Sequence, residues 1–260
     1  MFKITAILSA AALMIAGSAL AQNQSAQSKP TIVLVHGAFA ESSSWNEVIS
    51  RLDNDGFRVI APANALRSVA GDAQSVSAVV KSIKGPVVLV GHSYGGPVIT
   101  EAANGNDNVV ALVYVSAFAP DKGESSLSLS SKYPGSTLGD TLLPVDLPNG
   151  DQDLYIQPGK FHAQFAADVP IAKARLMAET QRAVTMSALS EPSGSPSWKT
   201  VPSYAIYGSA DLNIPPATLE FMASRAQSRK TVVVKGASHV VMVSHPNKVA
   251  KLIELAASDN

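Results

Sequence analysis

The stretch Pro86-Val87-Val88-Leu89-Val90-Gly91-His92-Ser93-Tyr94-Gly95-Gly96-Pro97 constrains the fold more than any other. Its apolar run lacks polar alternation, which suits a strand buried on both faces of a parallel sheet. The run leads directly into Gly-x-Ser-x-Gly and a segment able to open a helix. A serine on so sharp a turn sits in strained backbone, and its neighbours two residues away must be small. Gly91 and Gly95 meet that demand. The Ser93 hydroxyl is then expected above the edge of the sheet.

The same rhythm runs through most of the chain. Thr31-Ile32-Val33-Leu34-Val35, Phe57 to Pro62, Val109 to Val115, Val201 to Tyr207 and Thr231 to Val234 all read as short strands. Helical spacing is predicted over Trp45 to Asp53, Asp72 to Lys84, Thr218 to Arg225 and Asn247 to Ala257. Alternating strands and helices predict an α/β fold, a mostly parallel sheet with helices on both faces. Residues 22–120 and 201–260 carry that pattern, and residues 121–200 break it. The break is rich in Ser, Pro and Gly, with helices expected at Phe161 to Asp168 and Ile171 to Ala188 and no sheet pattern. Its apolar residues, Leu142, Leu143, Tyr155, Ile156 and Phe165 among them, argue for a packed insertion. A cap over the sheet is expected, since plain loops rarely run so long.

Composition narrows the partners. Formal net charge is zero, with no long basic block, which excludes the surplus cations that phosphate recognition needs. No nucleic-acid partner is expected. There is no cysteine, so disulfides, thiol nucleophiles and thiolate metal sites are excluded. The five histidines show no ligand spacing with carboxylates, and no phosphate loop appears. Neither a metal nor any other cofactor is therefore expected. Residues 1–21 read as a secretory signal peptide: Lys3, an apolar run from Ile4 to Ala16, then Ala19-Leu20-Ala21 with cleavage after Ala21. The mature chain is expected in the periplasm or outside the cell, without stable membrane association. The oligomeric state stays open.

In an open parallel sheet, reactive groups gather beyond the carboxyl ends of the strands. Ser93, Asp211 and His239 each follow a predicted strand, and His36-Gly37-Ala38 follows the first. A serine hydroxyl is a poor nucleophile at neutral pH and needs a base to take its proton. Imidazole suits that role, which falls to His239, and a carboxylate, here Asp211, holds the ring in the right tautomer. The oxyanion needs preorganised donors, for which the backbone N–H groups of Ala38 and Tyr94 are best placed. Phe39 and Tyr94 adjoin these loops and are candidates to line a substrate pocket; Trp45, Phe161 and Phe165 read as core aromatics. His36 reads as structural, His92 as packing locally, His162 as a surface residue. His245 is the rival base and Asp121 the rival acid.

The pieces Val33-Leu34-Val35-His36-Gly37-Ala38, Gly91-His92-Ser93-Tyr94-Gly95-Gly96, Tyr207 to Asp211 with Ile214-Pro215-Pro216, and Lys235 to His239 resemble the α/β-hydrolase superfamily. Within it they are similar to the small-ester branch of plant methyl esterases and hydroxynitrile lyases, and to bacterial pyrethroid-hydrolysing carboxylesterases. The resemblance implies the α/β-hydrolase fold, the triad Ser93, Asp211 and His239, and the oxyanion hole at Ala38 and Tyr94. It does not reach the cap. The lyases carry a threonine after the first-loop histidine and a lysine after the catalytic histidine, where this chain has Gly37 and Val240. Without that lysine no cation stabilises departing cyanide, so a carboxylesterase acting on small or medium esters is expected. A lactonase, amidase or thioesterase with the same triad is the alternative, as is a binding protein of this fold with little turnover.

Overall fold

The computed structural model describes residue 2 and residues 29–259. Apart from that single residue, the expected leader 1–21 and the segment to residue 28 lie outside the described residues.

The main sheet has six strands: β1 (Thr31–Val35), β2 (Val59–Ile60), β3 (Val87–His92), β4 (Val109–Val115), β8 (Ser203–Gly208) and β9 (Lys230–Val234). Their order is β2-β1-β3-β4-β8-β9, and every pairing is parallel. β1, β3 and β8 are buried along their whole length, as continuous apolar runs predict. From β1 the chain steps outward to β2, then returns past β1 to β3 and proceeds the other way. The order therefore reverses between β1 and β3. In open sheets the crevice beyond the carboxyl ends at such a reversal is where ligands bind. His36 to Ala38 and Ser93 follow those two strand ends.

Helices α1 (Asn46–Asn54), α2 (Val69–Lys81) and α3 (Gly95–Ala102) connect the first four strands. α1 packs against the final helix and α2 against α3, so the two pairs cover the sheet. Helix α2 starts at Val69, three residues before the sequence reading places it. Ser68 Oγ accepts from Gly71 N–H at 3.0 Å. The Glu191 carboxylate accepts from Val69 and Ala70 N–H from far along the chain. That remote cap satisfies first-turn donors that no local pattern reveals.

Between β4 and β8 the chain leaves the main sheet. It forms α4 (Ser126–Ser130), α5 (Pro158–Phe165), α6 (Ile171–Glu179) and α7 (Met186–Ser190). It also forms a second, antiparallel sheet of β5 (Leu142–Asp146), β6 (Gln152–Ile156) and β7 (Val184–Thr185). That sheet corrects the expectation of none. Its strands run two to five residues, β5 is largely exposed, and Pro144 sits on its edge, so the usual alternation is absent. Helix α6 also ends sooner than expected. Gln181 Nε2 donates to Ala178 O at 3.0 Å and to Ile156 O at 2.8 Å, closing the helix while tying it to β6. Helices α8 (Pro216–Arg225), α9 (Val241–Ser244) and α10 (Pro246–Ser258) complete the fold. Among the described residues, no helix is long and apolar enough to cross a membrane.

Candidate active site

Ser93 stands between β3 and α3 with φ of 53°, in the left-handed region that β-carbon residues seldom adopt. Its N–H donates to Val115 O at 3.3 Å, and its O accepts from Gly96 N–H at 3.0 Å and Phe118 N–H at 3.2 Å. Those bonds hold the strained conformation. A Cβ on Gly91 would lie 2.5 Å from Gly95 O, and one on Gly95 would lie 2.5 Å from Val35 O. The elbow is thus closed tightly enough that neither position takes a side chain. Gly37 is equally constrained: a Cβ there would fall 2.6 Å from Ser93 Cβ. The first loop rests directly against the serine, so a side chain at this position requires the loop to shift.

Asp211 and His239 come from the loops after β8 and β9. His239 Nδ1 donates to Asp211 Oδ2 at 2.7 Å, and both side chains are buried. Asp211 Oδ1 accepts from Asn213 N–H at 2.8 Å and Ile214 N–H at 3.0 Å. The carboxylate is therefore fixed through one oxygen and orients the imidazole through the other. With Nδ1 committed, Nε2 is the ring nitrogen left to exchange a proton. Ser93 and His239 line one cavity. Asp121 is engaged elsewhere, accepting from Lys199 Nζ at 2.9 Å, which holds its pKa down. His245 caps α10, with Nδ1 2.9 Å from Ser244 Oγ, and lines a separate surface groove.

The first loop and the elbow leave several backbone N–H groups free, those of Ala38 and Tyr94 among them. Phe39 N–H donates to Arg182 O at 2.9 Å and Ser93 N–H is bound to β4, yet among the described residues neither Ala38 nor Tyr94 N–H has a protein acceptor. Both residues are buried and line the cavity. The Tyr94 phenol is turned away and donates to Asp72 Oδ2 at 3.0 Å. Burial first, then Asp72, raises its pKa and keeps that proton in place.

The cavity measures about 160 Å³. Phe39, Phe118 and Ile214 come from the main-sheet loops, and Leu138, Leu154 and Met186 from the segment between β4 and β8. Phe165, read from sequence as a core aromatic, also lines it. Its ring lies 5.2 Å from that of His239 and stands edge-on to Phe39 at 6.0 Å. An apolar ring so placed keeps water from the imidazole.

Two other histidines are sealed in neutral form. His36 Nε2 accepts from Asn64 N–H at 2.9 Å, and Asn64 Nδ2 donates to His36 O at 3.0 Å, so the ring braces the first loop. Burial drives its pKa down to about 4, outweighing the bond to Gly37 O. His92 packs at 4.8 Å from the His239 ring, and burial, with His239 beside it, lowers its pKa as well. Unfolded, a histidine titrates near 6.5, so below that pH the unfolded chain binds protons that the folded state refuses. His36 alone should cost about 3 kcal/mol of stability as pH falls from about 6.5 to about 4. Urea midpoints should decline across that window, and less steeply in His36→Gln. Parallel declines in both proteins would contradict this assignment. His162 Nε2 bonds Val169 O at 2.9 Å, joining α5 to the turn before α6. Among the described residues there is no group of three or more His, Cys, Asp or Glu able to hold a metal.

A serine elbow after β3 that shares a cavity with a His–Asp pair from the loops after β8 and β9 is the architecture of a hydrolase-fold protein. The chain belongs to the alpha/beta hydrolase family, whose model matches residues 32–252. It is 28% identical to an alpha-hydroxynitrile lyase of Arabidopsis thaliana, over 89% of this chain and 98% of that one. It is 26% identical to a pyrethroid hydrolase of Sphingobium wenxiniae, over 85% of each chain. Among solved structures, a polyneuridine aldehyde esterase superposes with a TM-score of 0.77 at 20% identity, covering 88% of this chain and all of that one.

Proposed function

We propose that the protein is an exported serine hydrolase, a carboxylesterase acting on small or medium esters through an acyl-enzyme. The observation that carries this reading is the fixed Asp211–His239 pair sharing one cavity with Ser93. Ser93 Oγ attacks the ester carbonyl as His239 Nε2 takes its proton. The resulting oxyanion accepts from the N–H groups of Ala38 and Tyr94, donors with no protein acceptor of their own. Each such donor lowers the barrier by about 3 kcal/mol. Collapse breaks the carbonyl–alkoxy bond, and His239 returns the proton to the departing alcohol. Water, deprotonated by the same histidine, then releases the acid and restores Ser93.

Residues 121–200 act as the cap, supplying apolar wall and excluding water. Cyanohydrin cleavage, the activity named for the Arabidopsis relative, is disfavoured by buried Val240, which brings no cation to a leaving cyanide. The names of the Sphingobium and polyneuridine aldehyde relatives support ester hydrolysis instead.

The volume also limits the substrate. A cavity of about 150 Å³ accommodates a benzene-sized group. With p-nitrophenyl esters from acetate to octanoate, kcat/KM should peak at short acyl chains and fall by octanoate. Flat or rising values would contradict the assigned pocket, and no turnover of any member would contradict the esterase reading.

A further inference from the structure

The wall of the candidate cavity is apolar except for a few side chains, and two of these are polar without a partner. Ser126, at the start of α4, is 2% exposed, and its Oγ makes no hydrogen bond. Asn213, two residues after Asp211, is 3% exposed, and its Nδ2 makes none. The other polar walls are satisfied: Ser130 Oγ donates to Leu127 O at 2.9 Å and Ser136 Oγ to Asn213 O at 2.9 Å. A buried donor without a partner is costly, and in a cavity wall a bound ligand can supply the missing acceptor.

The amide orientation of Asn213 follows from its surroundings. Thr137 Oγ1 donates to Gln164 Oε1 at 2.8 Å, so Gln164 presents its Nε2 to Leu212 O at 2.9 Å and to Asn213 Oδ1 at 2.8 Å. Asn213 Oδ1 is therefore the acceptor in that pair, and the unpaired Nδ2 can only donate. The Ser126 hydroxyl can donate alongside it. Both residues line the cavity that holds Ser93 and His239.

We infer that Ser126 and Asn213 recognise an oxygen acceptor in the substrate, so that the protein selects esters carrying a second oxygen, an ether, ketone or further carbonyl, over hydrocarbon esters. This rests on the proposed esterase reading and narrows it. A hydrocarbon group in the cavity leaves both donors unpaired. A substrate oxygen that reaches them, after a small displacement of the wall that buries both atoms, pairs them. Sites that hydrogen-bond a substrate group reject analogues lacking it far more strongly than apolar pockets discriminate by size.

The test uses isosteric pairs, each rate divided by that of hydroxide-catalysed hydrolysis to remove intrinsic reactivity. For the acyl side, p-nitrophenyl hexanoate is compared with isosteres in which one methylene becomes an ether oxygen or a ketone. For the alcohol side, butyl butanoate is compared with 2-methoxyethyl butanoate. Wild type should prefer an oxygenated member of at least one pair by tenfold or more in kcat/KM. Ser126→Ala and Asn213→Leu should lower the rate on that member and raise it on the hydrocarbon ester. Opposite movements cannot come from partial misfolding, which lowers both. Preference ratios near one in wild type, or ratios that neither substitution moves, overturn oxygen recognition and leave ester hydrolysis standing. If no ester is turned over faster than by Ser93→Ala, the esterase reading fails, and this inference fails with it.

Discussion

Ser93→Ala should lower kcat on every ester by at least about 10⁴-fold while leaving the fold intact. The hydroxyl makes no bond that shapes the elbow: the φ of 53° is held by backbone bonds to Val115, Gly96 and Phe118. Alanine keeps the Cβ that packs against Gly37. The urea midpoint should therefore stay near that of wild type, and substrate should still bind, since cavity and oxyanion donors remain. The measurement is steady-state hydrolysis with both proteins at matched concentration, paired with denaturation. A variant retaining a tenth or more of the activity would place the nucleophile elsewhere.

Asp211→Asn should cost about 10³- to 10⁴-fold in kcat with little change in KM, for a reason visible in the geometry. Oδ1 of Asp211 accepts from two backbone N–H groups, Asn213 and Ile214. An asparagine must keep its own oxygen there, because an amide nitrogen would face two donors. Its Nδ2 is then turned toward His239 Nδ1, which must become the acceptor. The imidazole proton is forced onto Nε2, the nitrogen that has to receive the serine proton. The ring stays in place but in the wrong tautomer. A loss below tenfold would show that Asp211 does not set the tautomer, whereas a collapsed urea midpoint would show a mainly structural role.

Much of the fold is legible in the sequence. Runs such as Thr31 to Val35 and Val109 to Val115 read directly as buried parallel strands because no polar residue interrupts them. The elbow was legible for a similar reason, since steric demand at Gly91 and Gly95 leaves few alternatives. What escaped depends on contacts between distant residues. The second sheet is held by main-chain pairing of very short strands, with too few residues for periodicity to show. Phe165 reaches the candidate site only because α5 folds back over the strand ends, and as one aromatic among several it carried no local mark. Asn213 sits close to Asp211 in sequence, yet its free donor emerges only from the Thr137–Gln164 chain of hydrogen bonds.

The proposed mechanism requires that His239 and Asp211 activate Ser93. Its most direct test is mass spectrometry of the protein after reaction with a fluorophosphonate, which phosphonylates a serine activated by a base and expels fluoride. One adduct is expected, on the peptide carrying Ser93, absent from Ser93→Ala and formed far more slowly in His239→Ala. An adduct on another serine, or none from a preparation that hydrolyses esters, would contradict that mechanism.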